Sequence, residues 1–235
     1  MSWRPAAAAA ADLLPDLAMA PLRDLRVEHA GSRRLLRFTA EVVNLGEGPF
    51  ELRGTRATPD APMDTVTQRI FDDAGGWRNL PTPASMVFAG DGHDHWHVRD
   101  LERYTLTPRD RLDELGVGAK QGFCFFDNHP YLLSQPGAPP GPQYPGCGAA
   151  DDTVVTMGLS VGWGDVYGWH LPGQYIDITG LAPGAYRLHA TADPGGWFAE
   201  ARDDNNATSI ELLYDGADVI VLASQVMLAP VMAQP

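Results

Sequence analysis

In the stretch RLLRFTAEVVNLG, the apolar residues Leu36, Phe38, Ala40 and Val42 alternate with Arg37, Thr39 and Glu41 before a turn. Successive side chains of a strand point to opposite faces, so a period of two gives one apolar and one polar face. The pattern recurs. GAYRLHATAD puts Tyr186, Leu188 and Ala190 on one face and His189 on the other, the place of a solvated strand histidine rather than a ligand. YIDITGLAPGAYRL reads as strand, Pro/Gly turn and strand, the pattern of a hairpin, and ARDDNNATSIELLY sets an Asp/Asn cluster ahead of another strand. A short helix is expected in TPRDRLDELG, with Thr107 as N-cap, Pro108 at the first position and Gly116 as the stop. Many short strands with turn-rich connections predict an all-β chain: a single antiparallel β-sandwich with long loops and at most one or two short helices.

The 235 residues suffice for one such domain and a substantial core. No internal repeat or linker divides them. The opening MSWRPAAAAAADLLPDL lacks the longer apolar core and clear cleavage site of a secretory signal, and predicts a flexible lead-in over residues 1–20 ahead of one domain over 21–235. No apolar run is long enough to span a bilayer. The formal net charge of −13 disfavours nucleic acid and anionic membranes as partners and permits a cationic one.

GDGHDHWHVRD carries His93, His95 and His97 at alternate positions. On a strand these line one side, roughly 6 to 7 Å apart, and three imidazoles can converge on one ion. Neutral imidazole suits zinc, copper, nickel and iron, and three protein ligands leave a position open for water, oxygen or substrate. Asp94 and Trp96 face the other way.

The two cysteines, Cys124 and Cys147, are either paired or two buried thiols. The Pro/Gly-rich stretch between them has the composition of a long loop that a staple would constrain, which favours a disulfide and an oxidising compartment. Positive charge is carried by sixteen arginines and a single lysine, Lys120, in GAKQGFCFFD. Lysine, unlike arginine, can lose its proton and act as a nucleophile.

These segments together resemble the lysyl oxidases. DGHDHWHVRDLERYTL is similar to that family's copper segment, a histidine triplet followed by a tyrosine seven residues on. GAKQGFCFFD is similar to its lysine, Phe, Cys and acid segment. GLSVGWGDVYGWHLPGQYIDITGLAPGAYRL resembles the segment in which an Asp-x-Tyr precedes IDIT, and EARDDNN resembles its acidic, Asn-rich turn. The motifs run in the family's order over roughly residues 90 to 210, with weaker similarity in LPDL and RLLRF.

The resemblance implies a catalytic β-sandwich in which His93, His95 and His97 bind copper. Lys120 and Tyr167 would become the built-in lysine tyrosylquinone cofactor, and Cys124 and Cys147 would match one of the family's disulfides. Arg103 stands before Tyr104 where animal members have a histidine. The implied reaction is copper-dependent oxidation of a cationic primary amine, either a peptidyl lysine or a small amine, by molecular oxygen. Its products are an aldehyde, ammonia and hydrogen peroxide, with the protein acting outside the cytoplasm or secreted. The organic chemistry belongs to the quinone, while the protein supplies position and a base. Asp100, Asp127 and Asp165 are the candidates for that base. Trp96, Trp163 and Trp169 are candidates for an amine pocket through cation–π contact, and His129 and His170 for further ligands. Two other readings stand beside this one: a non-redox three-histidine zinc or iron enzyme, and a non-catalytic metal-binding interaction module.

Overall fold

The computed structural model of the chain describes residues 10–89, 94–111, 113–120 and 122–225. Among them there is no helix, and every strand pairing is antiparallel. The chain opens with β1 (Asp12–Leu13), β2 (Leu17–Met19), β3 (Arg23–Ala30) and β4 (Arg33–Asn44). There follow β5 (Phe50–Thr55), β6 (Thr65–Asp72), β7 (Trp77–Pro81), β8 (Met86–Phe88), β9 (Trp96–Arg99) and β10 (Glu102–Pro108). After β11 (Gly116–Val117), β12 (Gly122–Phe123) and β13 (His129–Pro130) come β14 (Val154–Leu159), β15 (Trp163–Tyr167) and β16 (Tyr175–Asp177). The last three are β17 (Gly184–Ala192), β18 (Ala207–Tyr214) and β19 (Val219–Gln225).

They form four sheets. One runs β1-β6-β5-β14 with β7 on β6, and a second runs β11-β10-β17-β18-β19. A small third sheet is β12-β9-β8, and the fourth runs β13-β15-β4-β16 with β2 and β3 also on β4. All four contribute to one apolar core that includes Phe38, Phe50, Leu52, Val98, Leu106, Phe123, Ile176 and Leu188. Removing each such side chain from water contributes about 1.5–3 kcal/mol. Within the core, edge-on aromatic contacts run from Phe38 to Tyr104 (5.0 Å), from Tyr104 to Phe123 (6.0 Å) and from Phe123 to Tyr167 (5.1 Å), linking β4, β10, β12 and β15.

Leu36, Phe38, Ala40 and Val42 are all fully buried, as the alternation requires, but Thr39 and Glu41 on the opposite face are buried too. That face is covered because Arg23 and His129 both reach Glu41, at 2.9 and 2.6 Å. The expected helix at 107–116 is absent. Thr107 and Pro108 are the last rungs of the β10 ladder, opposite Arg187 and Tyr186, and Leu115 N donates to Leu106 O to bring the chain back along β10. A helix of that length is marginal alone, and a seven-rung ladder outweighs its capping signals. YIDIT and GAYRL are not a hairpin either: β16 pairs with β4, β17 with β10 and β18, and the Pro/Gly segment crosses between sheets. The ordered strands begin within the expected lead-in, since β1 and β2 lie there and Leu17, Ala18, Met19 and Ala20 are buried. Their apolar side chains pack under β4, which the alanine run obscured.

Candidate functional site

Strand β9 carries His97, His95 immediately precedes the strand, and His93 lies outside the described residues. His97 is buried and its Nε2 is 2.9 Å from Nε2 of His95, with ring centroids 4.8 Å apart. Trp96 points the other way, packs edge-on against Phe88 at 5.7 Å and donates its indole N–H to Ala149 O. Pairing of β9 with β12 sets Gly122 opposite Arg99 and Phe123 opposite Val98. Gly122 is needed there: a Cβ on it would lie 3.0 Å from the His97 Cβ and 3.1 Å from its Nδ1.

The segment just before β12 carries Lys120. It is held on both sides by backbone hydrogen bonds, Gly118 N to Tyr104 O at 2.8 Å and Ala119 N to Tyr175 O at 2.9 Å. The Lys120 side chain is therefore drawn inward at the seam of three sheets and is only 8% exposed. Its Nζ lies 5.0 Å from the ring centroid of Tyr167 and 5.2 Å from that of Phe123. Tyr167, buried at the end of β15 opposite Ala40, donates its hydroxyl to Cys124 O at 2.6 Å. Cys124 is joined to Cys147 by a disulfide with an S–S distance of 2.04 Å, so the expected pairing is present and one of its residues anchors the tyrosine.

Around Lys120 and Tyr167 lies a buried polar cluster. Asp165, two residues before Tyr167 on the same face of β15, is fully buried and accepts the Asn128 side-chain amide. Burial raises its carboxyl well above the usual range, and the nearby Glu102 adds to this against the opposing effects of Tyr167, Asn128 and Lys120. Glu102, on β10, is likewise buried and accepts the Tyr104 hydroxyl. Burial pushes Glu102 up to about 7 against the lowering effects of that hydrogen bond and of Lys120. The Tyr104 and Tyr167 hydroxyls are pushed well up by burial first and by the neighbouring carboxyls second. Gln174, fully buried, faces Tyr104.

The other candidates have different surroundings. Asp127 accepts hydrogen bonds from Ser160 N and Oγ, Gln143 N and Tyr144 N, which ties a loop together. Asp100 is exposed, in a left-handed turn conformation with φ of 55°. Trp163 donates to Pro139 O, and the Trp169 ring is covered by the Arg26 guanidinium at 3.7 Å. With Trp96 also engaged, none of the three indoles forms an amine pocket with another. His129 is bound to Glu41, His170 lies edge-on to Trp169 at 5.8 Å, and His189 sits 3.4 Å from Thr107 Oγ1.

Among the described residues there is no cluster of three His, Cys, Asp or Glu able to hold a metal ion. The two described imidazoles nonetheless fit a shared ion, since nitrogens 2.9 Å apart can both be bonded at about 2.0–2.1 Å to one centre. Sequence reasoning missed Glu102 and Gln174 as parts of the site and used Tyr104 only as a marker of the copper segment. A signal for Glu102 was present: it shares a strand face with Tyr104 and Leu106, where a charge is out of place.

The Lysyl oxidase family model matches residues 82–224. Lysyl oxidase homolog 3A of Danio rerio is 26% identical over 187 residues, 79% of this chain and 20% of that protein. Lysyl oxidase homolog 3 of Homo sapiens is 26% identical over 188 residues, again 79% of this chain and 20% of the relative. Protein-lysine 6-oxidase of Homo sapiens is 30% identical over 126 residues, 53% of this chain and 27% of the relative. The chain thus spans about a fifth to a quarter of the length of these relatives.

Proposed function

The chain belongs to the lysyl oxidase family, and on that premise we propose that it is a copper-dependent amine oxidase that converts primary amines to aldehydes, ammonia and hydrogen peroxide. The observation that carries this reading is the buried Lys120 amine 5.0 Å from the Tyr167 ring. His93, His95 and His97 would hold the copper. With oxygen, copper would supply the oxidation of the Tyr167 ring, and the lysine tyrosylquinone made from that ring and Lys120 is an electrophile toward primary amines.

The remaining work falls to the chain's own side chains. The Cys124 carbonyl orients Tyr167 through its hydroxyl, and Phe123 packs against the ring edge. Burial against Phe123 and Tyr167 excludes water from the lysine. Asp165 is the base for the substrate's α-proton: it lies beside Tyr167, and its raised basicity suits acceptance of a proton from a weak acid. The net charge of −13 draws a cationic amine toward the protein. The disulfide fits an oxidising, extracytoplasmic setting.

An amine-dependent peroxide assay on copper-loaded protein, over peptidyl-lysine and small amines, tests this. The unsubstituted protein is expected to release peroxide with at least one amine. Lys120→Arg keeps charge without the same nucleophile, Tyr167→Phe cannot be oxidised to a quinone, and both should release none while melting normally. A non-redox zinc or iron centre would give no peroxide from any protein, and equal activity in all three proteins would reject the roles of both residues.

A further inference from the structure

Glu102 is the one buried carboxyl of the cluster that the chemistry above leaves without a task. It lies on β10, where its Oε2 accepts the Tyr104 hydroxyl while its Oε1 has no hydrogen-bond partner among the described residues. An unpaired buried carboxylate oxygen is costly, and its persistence calls for a partner that forms at some stage. Two features identify that partner. Lys120 is close enough to Glu102 to act on its charge, and Glu102 also lines a cavity of about 210 Å³ bounded by Asp100, Arg103, Tyr104, Val117 and Gly118. Glu102 therefore stands near the lysine and also borders a cavity.

We propose that Glu102 is the acid–base partner of Lys120: it accepts the proton of the lysine ammonium, leaving a neutral amine and a carboxylic acid, and releases that proton through the cavity. The transfer converts an ion pair into a neutral pair, so the amine becomes nucleophilic while the net charge of the buried cluster stays unchanged until the proton leaves. The role rests on the reading of Lys120 as a cofactor precursor, although the proton exchange itself requires no cofactor. Glu102 acts through Lys120 and is thus a positioning residue.

The groups facing Glu102 come from each neighbouring element. They are Tyr104 on its own strand, Lys120 before β12, and Asp165 and Tyr167 on β15. Across the ladder β17 presents Ala192, and the adjacent Asp193 is turned to the Trp197 and Phe198 amides. On the cavity wall Arg103 is paired with Glu114, and Asp100 is exposed. With burial placing Glu102 at about 7, it exchanges a proton near neutral pH.

Because the chain has a single lysine, metal-free protein made with carbon-13 lysine gives one ε-methylene resonance to follow from pH 5 to 9. That resonance should inflect near pH 7 in the unsubstituted protein. The inflection should be lost in Glu102→Gln and should move to higher pH in Tyr104→Phe, which removes the hydrogen bond that holds Glu102 down. The second variant is nearly isosteric and serves if the first does not fold. No inflection in the unsubstituted protein, or one unaltered by the substitution that folds, would overturn the proposal. A parallel measurement separates it from the function proposed above. On addition of copper and oxygen, formation of quinone colour should be about tenfold slower at pH 6 than at pH 8 for one group near 7, and this dependence should vanish in Glu102→Gln. Colour with the same pH profile in that variant rejects the Glu102 role and leaves the amine oxidase reading intact. A lysine inflection near 7 that depends on Glu102, in a protein that never colours, supports the Glu102 role and rejects that reading.

Discussion

Asp100, Asp127 and Asp165 all lie close to the motifs in sequence, and their surroundings give them different work. Asp127 is saturated with hydrogen bonds from Ser160, Gln143 and Tyr144, Asp100 lies at the surface, and Asp165 is buried beside Tyr167. Asp165→Asn should therefore lower amine turnover by about 10²- to 10⁴-fold, the range for loss of a general base, while the quinone colour still forms. Asp100→Asn should leave turnover unchanged. Asp127→Asn should lower stability by about 1.5–3 kcal/mol per charged hydrogen bond it fails to replace. Turnover and thermal melting of the three variants check these outcomes. Residue types were the most legible part of the sequence, because a metal site, a nucleophilic amine and an oxidisable ring each demand particular side chains. Which carboxyl stands next to them was not legible, since that depends on burial, and Glu102 was read past because its neighbours Arg103 and Arg99 give the segment a solvated look.

The elements position these side chains through close approach of backbones. Strand β12 lies against β9 at a point where Gly122 has no side chain to crowd His97. In Gly122→Ala the added methyl would sit about 3 Å from the imidazole, so His97 must shift from its place beside His95. Copper affinity should fall by at least about tenfold, the scale seen when support of a ligand is lost, while the melting temperature changes little. Calorimetric titration measures this, and unchanged affinity would mean that His97 is not held by this contact. Existence of strands was legible from alternation, and the apolar face of β4 is the one the sequence marks. Their partners were not. Glu41 is covered by Arg23 and His129 and Thr39 by Asp24 and Trp169, all arriving from other parts of the chain, and the split of YIDIT from GAYRL into two sheets comes from longer ladders elsewhere. The lost helix at Thr107 has the same origin, a tertiary ladder stronger than a local cap.

At the scale of the molecule, four sheets meet on one core, and the site lies where the β9, β10 and β15 sheets come together. The aromatic sequence Phe38, Tyr104, Phe123 and Tyr167 makes that junction apolar, while Glu102, Lys120 and Asp165 place three ionisable groups inside it. Such a concentration of buried ionisable groups is a cost to folding, and clusters of this kind are characteristic of functional sites. Residues distant in sequence are joined there, Lys120 with Tyr167 in contact and, 23 positions apart, Cys124 with Cys147 covalently. The account's central claim is that Lys120 and Tyr167 become one group. The direct measurement is mass spectrometry of protein treated with copper and oxygen, then reduced to open the Cys124–Cys147 disulfide and digested. The account predicts one branched peptide joining the GAKQGFC and GDVYG segments, absent from Lys120→Arg and Tyr167→Phe. Full amine-dependent peroxide release from protein in which both residues are found unmodified would contradict it.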